Sequence, residues 1–137
     1  MSVVLSYEQA GRIARLTLSR PEAKNALRPA DWQQLLLHVD DIARKPEVHV
    51  VCVSGSGGAF SSGGDLKTMP QRLAMPIAAR REQLLRDSRV ILALQQLDVP
   101  VVAAIPGVCM GAGLSLALSC DLRLASESAT FGAVFHR

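Results

Sequence analysis

"VHVVCVSGSGGAFSSGGDLK" (48–67) decides the fold class of this chain. Its first half, Val48 to Ser54, is a β-rich apolar run of strand length. It ends at Gly55, and soon after come Gly57, Gly58, Gly63 and Gly64, with three serines around Phe60. A buried strand that breaks into bare backbone leaves N–H groups exposed at its carboxyl end. The pattern recurs downstream, where "VPVVAAIPG" (99–107) is a second strand-type run and "GAGLSLALS" (111–119) opens an apolar helix on glycines. Backbone N–H groups at such turns suit partial or full negative charge.

The flanking sequence fills in the architecture. "SVVLSYEQ" (2–9) and "RIARLTLSR" (12–20), separated by Ala10-Gly11, predict a strand pair with a tight turn, with Ile13, Leu16 and Leu18 on a half-buried strand. "RPEAKNALRPADW" (20–32) reads as a loop because its two prolines discourage helix. From Asp31, the spacing of Trp32, Leu35, Leu36, Val39, Ile42 and Ala43 predicts a helix that Lys45-Pro46 ends. A long helix is expected from near Pro76, with Leu84, Leu85, Val90, Ile91, Leu94 and Leu97 on one side. "CDLRLAS" (120–126) and "ATFGAVF" (129–135) look like further strand pieces. Alternation of strands and helices argues for an α/β fold with a parallel component and right-handed crossovers.

Composition narrows the function classes. The chain has 137 residues, 49% of them apolar, and a formal net charge of +3, as expected of one globular domain. Aromatic residues make up 4%, too few for the stacking platforms that single-stranded nucleic acids need. A mild basic balance suits an anionic small molecule. Cys52, Cys109 and Cys120 lie in apolar stretches without metal-type spacing, and so read as buried thiols of a reducing compartment. No secretory leader and no membrane-spanning run is legible, so the expected location is the cytoplasm, with no metal, nucleic acid or membrane as partner.

Four chemistries compete for the glycine turns. A phosphate loop fails because Lys67 stands three residues after Gly64, and the dinucleotide fingerprint fails at Phe60. A nucleophile elbow at "GLSLA" (113–117) would make Ser115 a nucleophile, but its last glycine is Ala117 and only His136 offers itself as a base. In the fourth reading, one N–H from each turn converges on a carbonyl oxygen and stabilises it as an oxyanion. The residues alone leave this open against two merely tight turns.

"RPEAKNAL" (20–27), "GAFSSGGDLK" (58–67), "VPVVAAIPGVCMGAGLSLALSCDLRLAS" (99–126) and "ATFG" (129–132) resemble, in order and spacing, the enoyl-CoA hydratase/isomerase or crotonase family. The resemblance covers essentially the whole chain. It implies a ClpP/crotonase-like spiral of β-β-α units and an acyl-CoA thioester substrate, with coenzyme A entering as part of that substrate and no separate cofactor. It implies that the N–H groups of Gly64 and Ala112 form the oxyanion hole. It further implies that Lys24, Ala26, Phe60, Ser62, Gly64, Asp65, Leu66, Lys67 and Ala112 line the substrate, and that the full-length protein is a trimer or hexamer.

Two departures qualify the resemblance. The family's hydratases activate water with two glutamates, and Ser115 and Phe135 occupy those positions here. Neither can act as an unaided general base near neutral pH. Family members also run to about twice this length, so the chain reads as the N-terminal part of the spiral core (1–137), without the C-terminal trimerisation helices. The expected function is thus an acyl-CoA-binding member with doubtful hydratase activity. The rivals are a non-catalytic acyl-CoA-binding or oligomer-modulating protein and a Ser115 hydrolase, with Ser115 and His136 as the remaining acid/base candidates. Asp65 is expected to cap a turn and Asp121 to make structural hydrogen bonds.

Overall fold

The structure is a computed structural model and describes residues 1–135. Strands β1 (Val3–Glu8), β2 (Ile13–Leu18), β3 (Val50–Gly55), β4 (Val101–Ile105) and β6 (Leu122–Ala125) form a sheet in the order β1-β2-β3-β4-β6. β1 and β2 are antiparallel, and every later neighbour is parallel. The short strands β5 (Cys109–Met110) and β7 (Phe131–Gly132) pair in parallel as a second layer. Single bridges from Ser61 to Cys109 and from Leu27 to Gly64 extend that layer. β2, β3 and β4 therefore each run out at the carboxyl end into a short piece of this layer before a helix returns. That repeat is the β-β-α spiral, and it gathers the loops after β2, β3 and β4 at one end of the sheet.

The helices are α1 (Pro29–Ala43), α2 (Met69–Ala74), α3 (Ile77–Gln95) and α4 (Ala112–Leu118). α1 begins two residues before the expected Asp31, because Pro29 sits in its first turn, where a missing N–H costs nothing. Its buried stripe is Asp31, Trp32, Leu35, Val39 and Ile42, with Leu36 only partly buried. α2 was unforeseen: Pro70 also falls in a first turn, and no apolar stripe marks so short a helix.

Two packing expectations are corrected. In β2 the buried residues are Ala14, Leu16 and Leu18, so Ile13 takes the opposite face. In α3 only Asp87, Val90 and Leu94 are buried, while Leu84 and Leu85 are exposed. No residue of that helix before Asp87 is buried. The core lies between the sheet and α1, α3 and α4, with Leu16, Leu35, Val51, Val53, Phe60, Val90, Ala103 and Leu116 fully enclosed.

Candidate active site

The two glycine turns meet at the carboxyl end of β3 and β4. Ser61 is the clasp between them: its N–H donates to the Val108 carbonyl at 3.0 Å, and its carbonyl accepts from Met110 N–H at 2.9 Å. Its buried hydroxyl donates to the Asn25 carbonyl at 2.8 Å and accepts from Gly63 N–H at 3.1 Å. On the other side, Leu27 N–H donates to the Gly63 carbonyl at 2.7 Å and Asp65 N–H to the Leu27 carbonyl at 2.9 Å. In a parallel bridge this turns the N–H of the residue between, Gly64, away from Leu27.

Gly63 has to be glycine. Its φ is +99°, and a Cβ there would come within 2.9 Å of the Met110 carbonyl oxygen and 3.5 Å of Ala112 N. The same contact sets the Gly63–Gly64 peptide beside Ala112. Gly113 is constrained in turn, since a Cβ would meet the Ser61 Cβ at 2.6 Å. Ala112 is the first residue of α4, and the positive φ belongs to Gly111, at +50°. The Ala112 methyl group therefore brings no left-handed strain.

Neither Gly64 N–H nor Ala112 N–H donates to any partner among the described residues. Gly64 is exposed and Ala112 half-buried. Two unspent backbone donors thus lie on adjoining turns, one of them at the first residue of a helix.

The other singled-out residues fall into place around this pair. Lys24 and Lys67 are exposed on the two flanking loops, and Leu66 is 75% exposed between them. Ala26 is half-buried, with its carbonyl accepting from Arg20 Nη1 at 2.9 Å. Ser62 donates from its N–H to the Lys24 carbonyl at 2.9 Å, joining the first loop to the second. Phe60 is a core side chain with no exposure, so only its backbone belongs to the turn.

Asp65 accepts from Lys67 N–H at 3.0 Å as the cap of a short 3-10 turn, as expected. It also pairs with Arg20 at 2.8 Å, and that hydrogen bond holds its carboxyl below the usual carboxylate range. Asp121 accepts from Val101 N–H at 2.7 Å, a structural role. Ser115 is exposed, and its hydroxyl reaches only its own helix, at the Gly111 carbonyl 3.4 Å away. The Phe135 ring lies 4.0 Å from where a Cβ on Gly111 would stand, beside the start of α4. His136 lies outside the described residues.

Sequence reasoning missed Ser61, Asn25 and Arg20, the residues that tie the loops together. Lys24 and Asn25 both adopt positive φ, at +48° and +55°, and Asn tolerates this conformation well. The Asn25 side-chain N–H groups donate to the Ser56 and Ala59 carbonyls, each at 2.9 Å. An asparagine between a lysine and an alanine in a loop was the available signal.

The enoyl-CoA hydratase/isomerase family matches over residues 8–137. The chain belongs to that family. It is 36% identical to the (E)-benzylidenesuccinyl-CoA hydratase of Thauera aromatica over 93% of this chain and 49% of that protein. It is 33% identical to the short-chain-enoyl-CoA hydratase of Clostridium acetobutylicum over 91% of this chain and 47% of that protein. An enoyl-CoA hydratase/isomerase from Xanthobacter autotrophicus superposes with a TM-score of 0.88 at 33% identity, over 96% of this chain and 48% of that one. The chain thus spans about half the length of the relatives it matches, and its fold is the crotonase spiral over that half.

Proposed function

We propose that this protein binds an acyl-CoA thioester and stabilises its enolate between the N–H groups of Gly64 and Ala112. The observation that carries this reading is the pair of unspent donors on two turns clasped by Ser61, in a chain of this family. A thioester α-proton is removed with difficulty because the electron pair left behind must move onto the carbonyl oxygen. Fixed donors aimed at that oxygen lower the barrier without reorganising, each contributing about 3–4 kcal/mol in comparable sites. The glycine turns let the carbonyl and the CoA arm approach bare backbone. Lys24 and Lys67, on the rims of the two loops, are placed for the CoA phosphates.

Hydration of a simple enoyl-CoA is not the expected reaction. Ser115 spends its hydroxyl on the Gly111 carbonyl, and Phe135 has no proton to give or take. Those same two residues favour the second reading, in which the protein binds acyl-CoA without turning it over.

Calorimetry with crotonyl-CoA, joined to infrared difference spectra of the bound thioester, tests the first claim. The expected result is saturable binding with the carbonyl stretch shifted to lower frequency. Binding with an unshifted carbonyl would remove the oxyanion hole, and no binding to folded protein would remove the ligand.

A further inference from the structure

Arg20 stands just past the end of β2, with its side chain 16% exposed between the first and second loops. Its backbone N–H donates to the Asn25 side-chain oxygen at 2.8 Å, which fixes its root. At the tip, Nη1 donates to the Ala26 carbonyl at 2.9 Å and Nη2 to an Asp65 oxygen at 2.8 Å. Two other carboxylates face it less closely. Asp31 stands 3.5 Å from Nη1 and is already paired with Arg28, and the exposed Glu22 stands 3.8 Å from Nε. Ala26 adjoins Leu27 and Asp65 adjoins Gly64, the two residues of the parallel bridge. The guanidinium fork therefore spans that bridge and holds its two chains together.

The bridge decides where the Gly64 N–H points. That N–H shares a planar peptide with the Gly63 carbonyl, and the two groups of a trans peptide point in opposite directions. The Gly63 carbonyl accepts from Leu27 N–H at 2.7 Å, so Leu27 pins the plane that carries the donor. Packing does not steady it, since a Cβ on Gly64 would meet nothing within 4 Å. Its angle depends on the bonds to either side. Ser61 holds the incoming side through Gly63 N–H. Asp65 holds the outgoing side, with its N–H on the Leu27 carbonyl and its carboxylate on Lys67 N–H and Arg20.

We propose that Arg20 is a positioning residue of the oxyanion hole: by gripping the Ala26 carbonyl and the Asp65 carboxylate together, it sets the angle of the Gly63–Gly64 peptide and so the aim of the Gly64 N–H. This rests on the acyl-CoA reading above. Donors of this kind work only when held within about 0.5 Å and 10–20° of their productive geometry. An arginine suits the task because its two Nη arms form a rigid planar fork that can grip two acceptors at once. A lysine offers one point charge on a flexible stem. Arg20 has no contact with the turn that carries Ala112 among its hydrogen bonds and ion pairs, so its influence falls on one donor of the two.

The test reads the carbonyl stretch of bound crotonyl-CoA by infrared difference spectra, with affinity by calorimetry and stability by urea unfolding. Arg20→Lys should bind crotonyl-CoA within about tenfold of the unmodified protein, the value of one hydrogen bond. Its carbonyl shift should shrink by about half, since one of two donors loses its aim. Asp65→Asn cuts the other end of the same contact and should shrink the shift in the same direction; it decides the matter where Arg20→Lys does not fold. Arg28→Lys is the control. Arg28 belongs to the same cluster but pairs with Asp31 and Ser2, so its loss should lower stability and leave the shift whole. Adding Ala112→Pro to Arg20→Lys should abolish the remaining shift. A full shift in Arg20→Lys, or in Asp65→Asn where that variant stands in for it, would overturn the role of Arg20. So would an equal loss in Arg28→Lys, which would mark general loosening of the loop. An unshifted carbonyl in the unmodified protein would instead overturn the oxyanion hole, and absence of binding would overturn the acyl-CoA reading itself.

Discussion

The Ala112 N–H can be deleted without disturbing the helix it opens, which makes Ala112→Pro an incisive perturbation of the site. Ala112 is the first residue of α4, where proline is tolerated because that N–H has no intrahelical partner. Its N–H makes no other hydrogen bond among the described residues, so none is lost from the fold. Stability should then change by no more than about 1 kcal/mol, within the ordinary range for a surface-level backbone change. The effect on ligand is of a different size. One hydrogen bond to the ground-state carbonyl contributes about 0.5–1.5 kcal/mol net, so affinity for crotonyl-CoA should fall about two- to tenfold. The developing oxyanion loses about 3–4 kcal/mol, which slows α-proton exchange by roughly 10²–10³-fold. The carbonyl stretch of bound crotonyl-CoA should return part of the way to its value in water. Ala112→Gly provides the control, since it keeps the N–H and the Ala112 methyl relieves no strain; it should leave both readouts unchanged. A variant Ala112→Pro that unfolds with the same midpoint and still shows the full carbonyl shift would refute the assignment of Ala112.

Four further outcomes are expected. Ser61→Ala should lower stability by about 2–3 kcal/mol in urea unfolding, because the Gly63 N–H and the Asn25 carbonyl lose a buried partner; an unchanged midpoint would deny Ser61 its place as the clasp. Cys52 alone should react with a thiol reagent in the folded protein, since burial raises Cys109 to about 11 and Cys120 to about 12; equal labelling of all three would contradict the core described here. Hydrogen bonds from Arg20 hold the Asp65 carboxyl low, and those from Arg28 and Ser2 outweigh burial to do the same for Asp31. Their stabilisation is present above the unfolded carboxylate range and lost as pH falls from that range through the lower folded values, so the melting temperature should drop below about pH 4, and less steeply in Asp65→Asn. Leu118, Leu122, Leu124, Phe131 and Phe135 are each more than half exposed, and β6 is an edge strand with no buried residue, so the 137-residue chain should self-associate in light scattering across a dilution series, and a monodisperse monomer at high concentration would refute this.

The fold was legible where one face of an element carries the whole apolar load. "VHVVCVSG" and "VPVVAAIPG" became β3 and β4, which lie between parallel neighbours and fully bury alternate residues, Val51 and Val53 in β3 and Val101, Ala103 and Ile105 in β4, while the other face stays only partly exposed. The pattern failed where an element is only partly buried. Leu84 and Leu85 satisfy a helical period, yet both are exposed and no residue of α3 before Asp87 is buried, and a period cannot report how much of a helix is covered. α2 escaped for the same reason, being short and without a buried residue. Ile13 was misplaced because β2 buries Ala14, and alternation between an alanine and an isoleucine does not say which of them faces in.

The site divides along a different line. Its donors are backbone atoms, so the glycines that expose them could be seen, whereas the pairing of the two turns could not be read from spacing alone. That pairing depends on Ser61, whose neighbours in space are Asn25, Val108 and Met110, all distant in the chain. An acid or base is harder still, because its chemistry depends on what it lacks. Asp65 and Asp87 are the same residue type, yet one is held ionised by Arg20 and a backbone N–H, while the other is buried beside a cation too far away to satisfy it. Environment moves those two carboxyl groups in opposite directions from the ordinary range, Asp65 down through the Arg20 hydrogen bond and Asp87 up through burial, and residue type alone reports neither.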